Sequence, residues 1–287
     1  MRMTGTLYVV ATPIGNLGDM VPRAVEILQT VALIAAEDTR HSGRLLKHLN
    51  IDTPMTPYHD RGDQRQSARI LGALAKGEDV ALISDAGTPL ISDPGYKLVR
   101  DARQGGYTVS PIPGPCAAIA ALSAAGLPSD RFAFEGFLPA KSGERRKRLE
   151  TLLVELRTLI FYEAPHRILD TLTDIGEVLN VQRNEAQRNI VLARELSKTF
   201  ETFLSGSAAE LLEILHADPN QQRGEFVLMI EGAPKQAQNA EDADVEKVLT
   251  TLIADLPLKQ AVALAAKITG VNKNSLYQRG LELKAGS

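Results

Sequence analysis

The stretch VALISDAGTPLISDPG, Val80 to Gly95, decides the fold. VALISD is a short apolar run that ends in Ser84 and Asp85, the pattern of a fully buried strand. A long tract of Gly, Pro and small polar residues follows, and a helical pattern then runs from Tyr96 to Gln104. Upstream, TLYVVA (Thr6–Ala11) and LIAAE (Leu33–Glu37) read as strands of the same kind. One helix starts near Pro22 and another spans Ser67 to Ala75; TVSPIPG lies downstream. Strands separated by helices of this length predict a parallel α/β sheet.

A second series begins at Phe132. It runs FAFEGFL, a basic helix over 144–156, TLIFYEA, a helix over 166–179, NIVLARELS, TFETFLSG, a helix over 207–216 and FVLMIEG. The closely linked strands at 190–204 predict an antiparallel pair and therefore a mixed sheet. Pro234–Asp244 is polar and unpatterned and reads as a linker. Helices over 245–254, 257–268 and 274–284 follow, the last two joined through Thr269-Gly270-Val271-Asn272 as in a helix-turn-helix. Leu258, Val262, Leu264, Ile268, Leu276 and Leu281 are expected to form their core. The expected organisation is two α/β domains, 1–118 and 119–233, with a cleft between them, and a small basic helical domain over 245–287.

The 287 residues are 44% hydrophobic and 23% charged, the composition of an ordinary soluble protein at a length where cores divide. No apolar run approaches the roughly 20 residues that span a bilayer. A strand-like segment begins within a few residues of Met1, so no signal peptide is expected. Cys116 is the only cysteine and cannot form an internal disulfide. A cytoplasmic protein without a membrane partner is expected. The net charge of -3 argues against a globally basic nucleic-acid binder, yet two basic islands stand out. Lys141–Arg148 carries five basic residues and one acid. Beyond Leu256, Lys259, Lys267, Lys273, Arg279 and Lys284 face only Glu282. A polyanionic partner or a solvated helix face accounts for either island.

Ligands of open α/β sheets bind beyond the carboxyl ends of the strands. Five such ends carry more Gly, Pro and polar residues than a turn needs: Thr12–Leu17, Asp38–His41, Ala86–Gly95, Pro113–Ala118 and Pro165–Arg167. Gly87 and Gly114 can bring bare amides to a ligand, and helix N-termini near 95 and 115 add donors. No GxGxxG follows the first strand and no GxxxxGK[ST] occurs, which excludes the dinucleotide fingerprint and the phosphate loop. The five histidines lack metal-ligand spacing, and neither Ser84 nor Ser92 sits in a GxSxG elbow. Cys116 has no accompanying base and reads as a small residue in a tight turn.

ATPIGNLGD, AEDTRHSG, SDAGTPLISDPG, PIPGPCAAIAALSAAGLPSDRFAFEGFLP, FYEAPHR and RGEFVLMIEG together resemble the ribosomal RNA branch of the tetrapyrrole methylase superfamily, over nearly the whole chain. The resemblance implies two α/β domains with S-adenosylmethionine in the cleft, usually a homodimer, and a helical C-terminal domain. It also implies 2′-O-methylation of a cytidine ribose in 16S rRNA of the small ribosomal subunit. Contacts to the methyl donor are implied at Pro13, Asp85, Ala86, Gly87, Thr88, Ile91, Cys116, Ala117, Tyr162, Ala193, Glu225 and Phe226. Thr88 departs from the Asp of the tetrapyrrole branch and agrees with the RNA branch.

A cationic donor of this kind suits a mostly apolar cleft with backbone donors and acceptors and needs neither metal nor phosphate loop. The protein must align a ribose hydroxyl behind the methyl and help it lose a proton. Acid/base candidates are the Glu37-Asp38 pair, His59-Asp60, Glu163 and Glu195; Arg40, Arg167 and Arg194 could hold phosphates, with ordinary salt bridges as the plain alternative. The expected catalytic set is Glu37, Asp38 and Arg40. The expected RNA-facing set is Arg40, Lys141, Arg145, Arg146, His166, Arg167, Lys259 and Lys273. The rival readings are a methyltransferase of a tetrapyrrole-like small molecule and a non-catalytic nucleic-acid binder using the terminal helices.

Overall fold

The computed structural model describes residues 4–60, 64–180 and 188–285. Strands β1 (Thr6–Val10), β2 (Leu33–Ala36), β3 (Met55–Pro57), β4 (Val80–Ile83) and β5 (Thr108–Ile112) form one all-parallel sheet in the order β3-β2-β4-β1-β5. β2 and β4 are buried along their whole length because helices cover both faces. On one face α1 (Pro22–Thr30) and α2 (Thr39–His48) supply Ala24, Leu28 and Leu46; on the other α3 (Gln64–Ala75) and α4 (Tyr96–Gln104) supply Ile70, Leu74 and Leu98. The short β3 is the strand that the sequence does not announce. It holds a proline and only three residues, too few for a period to show.

After helix α5 (Ala117–Ala124), the second sheet contains β6 (Phe132–Phe137), β7 (Thr158–Glu163), β8 (Ile190–Arg194), β9 (Thr202–Gly206) and β10 (Phe226–Ile230). Its order is β6-β7-β10-β8-β9; β6 and β7 are parallel and the remaining pairs antiparallel, the mixed sheet expected. Helices α6 (Ser142–Thr151), α7 (Ile168–Asn180) and α8 (Ala208–Ala217) cover one face. α5 covers the other, setting Ala118, Ala121 and Leu122 against Ile160, Val191 and Val227. The expected boundary at residue 118 therefore passes through a helix that packs on the second sheet.

Three helices close the chain: α9 (Lys235–Asp255), α10 (Leu258–Thr269) and α11 (Lys273–Ala285). The linker expected over Pro234–Asp244 is instead the first part of α9. Its Ala, Gln and Glu residues are strong helix formers, but without an apolar stripe they show no helical period. Gly270 ends α10 in the left-handed conformation with φ 74°, its amide bonded to the Ala266 carbonyl. The expected core is only partly right. Val262 and Leu276 are buried with Val245, Leu249 and Ala265, whereas Leu264, Ile268 and Leu281 are exposed. Ala261, Val262 and Ala265 set the packed face of α10, so small alanines carry it where large residues are expected. No described helix is long and apolar enough to cross a membrane.

Candidate active site

The site grows from the two central strands of the first sheet. Beyond β1 and β4 the chains stay paired: Thr12 N donates to the Gly87 carbonyl (2.9 Å) and Gly87 N donates to the Thr12 carbonyl (3.0 Å). The amide of Gly87 is thus occupied, a correction to its expected role as a bare donor. The glycine is needed for its backbone, with φ at 82°. Gly114 is needed for approach, because a Cβ there would lie 2.8 Å from that of Ala11. Thr88 Oγ1 donates to the Pro115 carbonyl (2.8 Å), fastening the β4 loop to the turn before α5. Further along the loop Leu90 (φ 75°) and Ser92 (φ 66°) are non-glycine residues in the left-handed region. Such strain, about 1–3 kcal/mol per residue, persists where surrounding structure enforces it and clusters at functional sites.

Between this loop and the second sheet lies a cavity of about 400 Å³. Ala86, Gly87, Thr88, Ile91, Ala117, Tyr162, Glu225 and Phe226, all implied donor contacts, line it together. Pro13, Asp85, Cys116 and Ala193 do not form its wall. Asp85 accepts a bond from Asp38 N (3.1 Å), and Ala193 is buried in β8. The sequence does not single out Ile14, Ser92, Asp93, Phe137 or Leu196, which also line it. Ser92 and Asp93 are visible inside SDAGTPLISDPG; Phe137 and Leu196 are apolar and carry no chemical signature. Tyr162 anchors the second-domain wall. Its hydroxyl accepts from Ala118 N (3.3 Å), and its ring meets those of Phe134 and Phe137 edge-on. Burial raises the Tyr162 pKa, which keeps the phenol neutral.

Three carboxylates gather where β2 and β4 end. Glu37 Oε2 accepts from Asp85 N (3.5 Å), and burial raises the Glu37 pKa against that bond, with Asp85 and Asp38 adding repulsion. Asp93 is pushed up to about 6, first by burial and then by Glu37 and Asp85, while a bond from Ser84 opposes the shift. Asp38 has a structural occupation. It caps α2 by accepting from Arg40 N (2.8 Å) and His41 N (3.4 Å), and those bonds hold its carboxyl below the usual range. None of Glu37, Asp38 and Arg40 lines the cavity. Asp38→Ala should lower the melting temperature. Asp38→Asn, which keeps the cap, should leave the melting temperature unchanged and the single-turnover rate within about threefold of wild type. A large rate loss in a well-folded Asp38→Asn chain would restore the carboxylate to the chemistry.

Several expected RNA contacts are internal braces. Arg145 is 3% exposed, with Nε 2.6 Å from Asp174 Oδ2; its position one turn before the buried Leu149 turns it inward. Arg146 bonds Asp174 and Glu177, and Arg148 bonds Glu135. Arg167 donates to the carbonyls of Leu138 (2.7 Å) and Pro139 (3.1 Å) beside Glu163. Arg194 donates to the carbonyls of Arg223, Asn220 and Phe200. Glu163 lines the cavity but accepts from Ala164 N and the Thr171 hydroxyl, and Glu195 is held by Lys198 and Glu225 N. Much of the α6 island is therefore neutralised within the chain. Arg40, Lys141, His166, Lys259 and Lys273 are exposed.

Comparison with known proteins matches residues 6–212 to the family model of Tetrapyrrole (Corrin/Porphyrin) Methylases, and residues 239–284 to that of the RsmI C-terminal HTH domain. A Pseudomonas aeruginosa protein named ribosomal RNA small subunit methyltransferase I is 57% identical over 99% of both chains. The protein of that name from Escherichia coli O157:H7 is 54% identical over 97% of this chain and 95% of its own. Among solved structures, uroporphyrin-III-C-methyltransferase from Thermus thermophilus superposes with a TM-score of 0.54 at 22% identity, covering 79% of this chain and 94% of its own. A cobalamin biosynthetic enzyme, cobalt precorrin-4 methyltransferase, gives 0.56 at 13% identity over 78% and 94%. The last two share the fold. With the paired loops, the two sheets and the terminal helices all matched, the chain belongs to the tetrapyrrole methylase family and, within it, to the ribosomal RNA small subunit methyltransferases I.

Proposed function

We propose that the protein transfers a methyl group from S-adenosylmethionine to the 2′-hydroxyl of a cytidine ribose in 16S rRNA of the small ribosomal subunit, acting in the cytoplasm as a homodimer. The observation that carries the reading is the cleft itself, in a chain whose full-length relatives bear the name of an rRNA methyltransferase. The cavity fits the donor in kind. Its wall is mostly apolar, Gly87 leaves room beside Ile14, and carboxylates from both domains favour a cation. When bound, the donor supplies a methyl group already activated on a sulfonium. Ala117, Tyr162 and Phe226 exclude water and orient it, and the residues of the 86–93 loop face the incoming ribose. Pro13, Asp85, Cys116 and Ala193 act from behind that wall. Glu37 supports the loop through Asp85, and Arg40 holds an RNA phosphate with Lys141 and His166.

The terminal helices support RNA over a tetrapyrrole-like substrate. Lys259, Lys267 and Lys273 are exposed on a helical unit with its own core, and the tetrapyrrole enzymes superpose on only about four-fifths of this chain. Deleting residues 235–287 should leave donor affinity and the melting temperature of the remainder nearly unchanged. It should reduce the salt slope of RNA binding by roughly 0.7 to 0.9 for each phosphate that is no longer neutralised. A drop in melting temperature with an unchanged slope would mark the helices as a stabilising cap. The reaction is tested by incubating the chain with methyl-labelled donor and small subunits from cells lacking the enzyme, then mapping the label. A label on a cytidine 2′-oxygen is expected; no label on RNA, with label on a porphyrin-like acceptor, would favour the small-molecule reading. Sedimentation tests the dimer.

A further inference from the structure

We infer that Phe137 is the platform on which the base of the target nucleotide stacks once that nucleotide has left the RNA helix, an assignment resting on the ribose-methylation reading above. One exposed apolar side chain is ordinary on a protein surface. Phe137 is different, because it is 56% exposed and yet forms part of the cavity wall. The backbone also departs from regular pairing to put it there. β6 is the edge strand of its sheet, and its register against β7 shifts between Phe134 and Gly136, leaving Glu135 as an extra residue. Side chains alternate along a strand, so an unbroken β6 would send Phe137 to the face that α6, α7 and α8 cover, away from Phe134. The bulge returns it to the face of Phe134, opposite Tyr162, whose ring meets it edge-on at 5.7 Å. Glu135 pairs instead with Arg148 of α6, and Gly136 takes a φ of 67°. Bulges of this kind re-aim side chains beside active sites.

The surroundings of the ring decide what it holds. A Cβ on Gly136 would lie 3.4 Å from Ser92 Oγ, so this end of β6 meets the loop that faces the incoming ribose. Phe226, on the donor side, belongs to β10, which is separated from β6 by β7. Phe137 therefore stands on the substrate side of Tyr162. A nucleotide whose ribose enters the cleft has lost its stacking neighbours, and aromatic faces are the ordinary replacement for them in RNA recognition. Cations suited to the flanking phosphates adjoin in sequence. The exposed Lys141 follows Phe137 by four residues, and the exposed His166 is next to Pro165 of the cavity wall. Every base has a π-face, so the platform holds the extruded base without selecting cytosine.

The experiment uses the full chain, unmethylated small subunits at limiting concentration and methyl-labelled S-adenosylmethionine in single turnovers, with donor affinity measured by calorimetry. Phe137→Leu keeps the apolar bulk and removes the ring. It should slow methylation about ten- to a hundredfold, the loss of one stacked base, with donor affinity within about threefold of wild type. Phe137→Tyr and Phe137→Trp keep a ring and should stay within about threefold of the wild-type rate. The chain has no tryptophan of its own, so Phe137→Trp also carries a single reporter. Its emission should be quenched by oligocytidylate at strand concentrations that saturate binding. A folded Phe137→Leu chain within about threefold of the wild-type rate overturns the assignment. So does a loss that Phe137→Tyr shares, or tryptophan emission that saturating RNA leaves unchanged. Donor affinity that falls in step with rate puts the ring on the donor and overturns it too. Each of these outcomes leaves ribose methylation standing, whereas a wild-type chain that labels no RNA overturns that reading, and the assignment with it.

Discussion

Gly87→Val is expected to weaken S-adenosylmethionine binding at least about a hundredfold, the loss expected when a tight backbone position is both strained and filled. Three effects act together. The residue sits at φ 82°, a region that a β-branched side chain avoids. A Cβ there would lie 3.3 Å from Ile14 Cγ2 and 3.7 Å from the Pro115 carbonyl, and the two γ-methyls of valine must go further into the cavity or into its wall. Relief by moving the backbone would break the reciprocal bonds to Thr12 that hold the two loops together. The sheets themselves do not depend on this position, so the variant should fold with a lowered melting temperature. Calorimetry on the folded chain checks the prediction, and unchanged affinity would place the donor elsewhere. Gly87→Ala should show the same direction with a smaller loss.

The second large effect lies away from the cleft. Asp174→Ala should destabilise the second domain by about 3 kcal/mol, the lower end for breaking a buried ion pair, since Arg146 is partly in solvent and keeps Glu177. Asp174 is 3% exposed and accepts from Arg145 Nε, Arg146 Nε and Ser142 Oγ, all within 2.9 Å. Removing it leaves Arg145 buried with only the Pro139 and Ala140 carbonyls. Burial pushes the Asp174 carboxyl up, but the bonds from Arg146, Ser142 and Arg145 win and hold it below the ordinary value. A depressed folded value means that this stability is present above the unfolded carboxylate range, near pH 4, and is lost as pH falls through the folded value. Wild type should therefore lose more stability on acidification than Asp174→Ala does. Denaturant midpoints at pH 7 and pH 3 test this, and equal losses in the two chains would show that the fold does not hold the Asp174 carboxyl below its ordinary value. Replacing the cluster with apolar residues of like volume should recover much of the stability, because the loss comes from the orphaned charge.

This cluster also shows why charge patterns are the least legible part of the chain. Lys141–Arg148 has the composition of an RNA-binding island, and the counter-charges of its three arginines lie in α7 and β6, some 13 to 31 residues away in sequence. A charge is free or spent according to what the fold sets beside it. Composition records only its sign. Asp38 is hard to read for a related reason. As the last residue before a helix it is the ordinary cap, and only its place in AEDTRHSG suggests chemistry instead.

The architecture was legible in the residues alone: a parallel sheet, then a mixed sheet, then basic helices. Runs such as VALI and FVLMI have one stable solution, burial on both faces, and their order along the chain dictates the layers. The sequence also pointed to the strand ends as the place for a ligand, because Ala86–Gly95 has a length and a glycine and proline content that no simple turn requires, and part of that loop lines the cavity. Tertiary structure alone decided which of those residues share a cavity, that Gly87 serves through its φ and its pairing with Thr12, and that Phe137 and Leu196 join the wall. It decided that Arg145, Arg167 and Arg194 brace the fold and that Asp93 is left between two carboxylates and the cleft. The physical reason is common to all of these. Backbone pattern is a local property repeated along the chain, whereas burial and partner choice depend on the one set of distant side chains that the finished fold brings within a few ångströms.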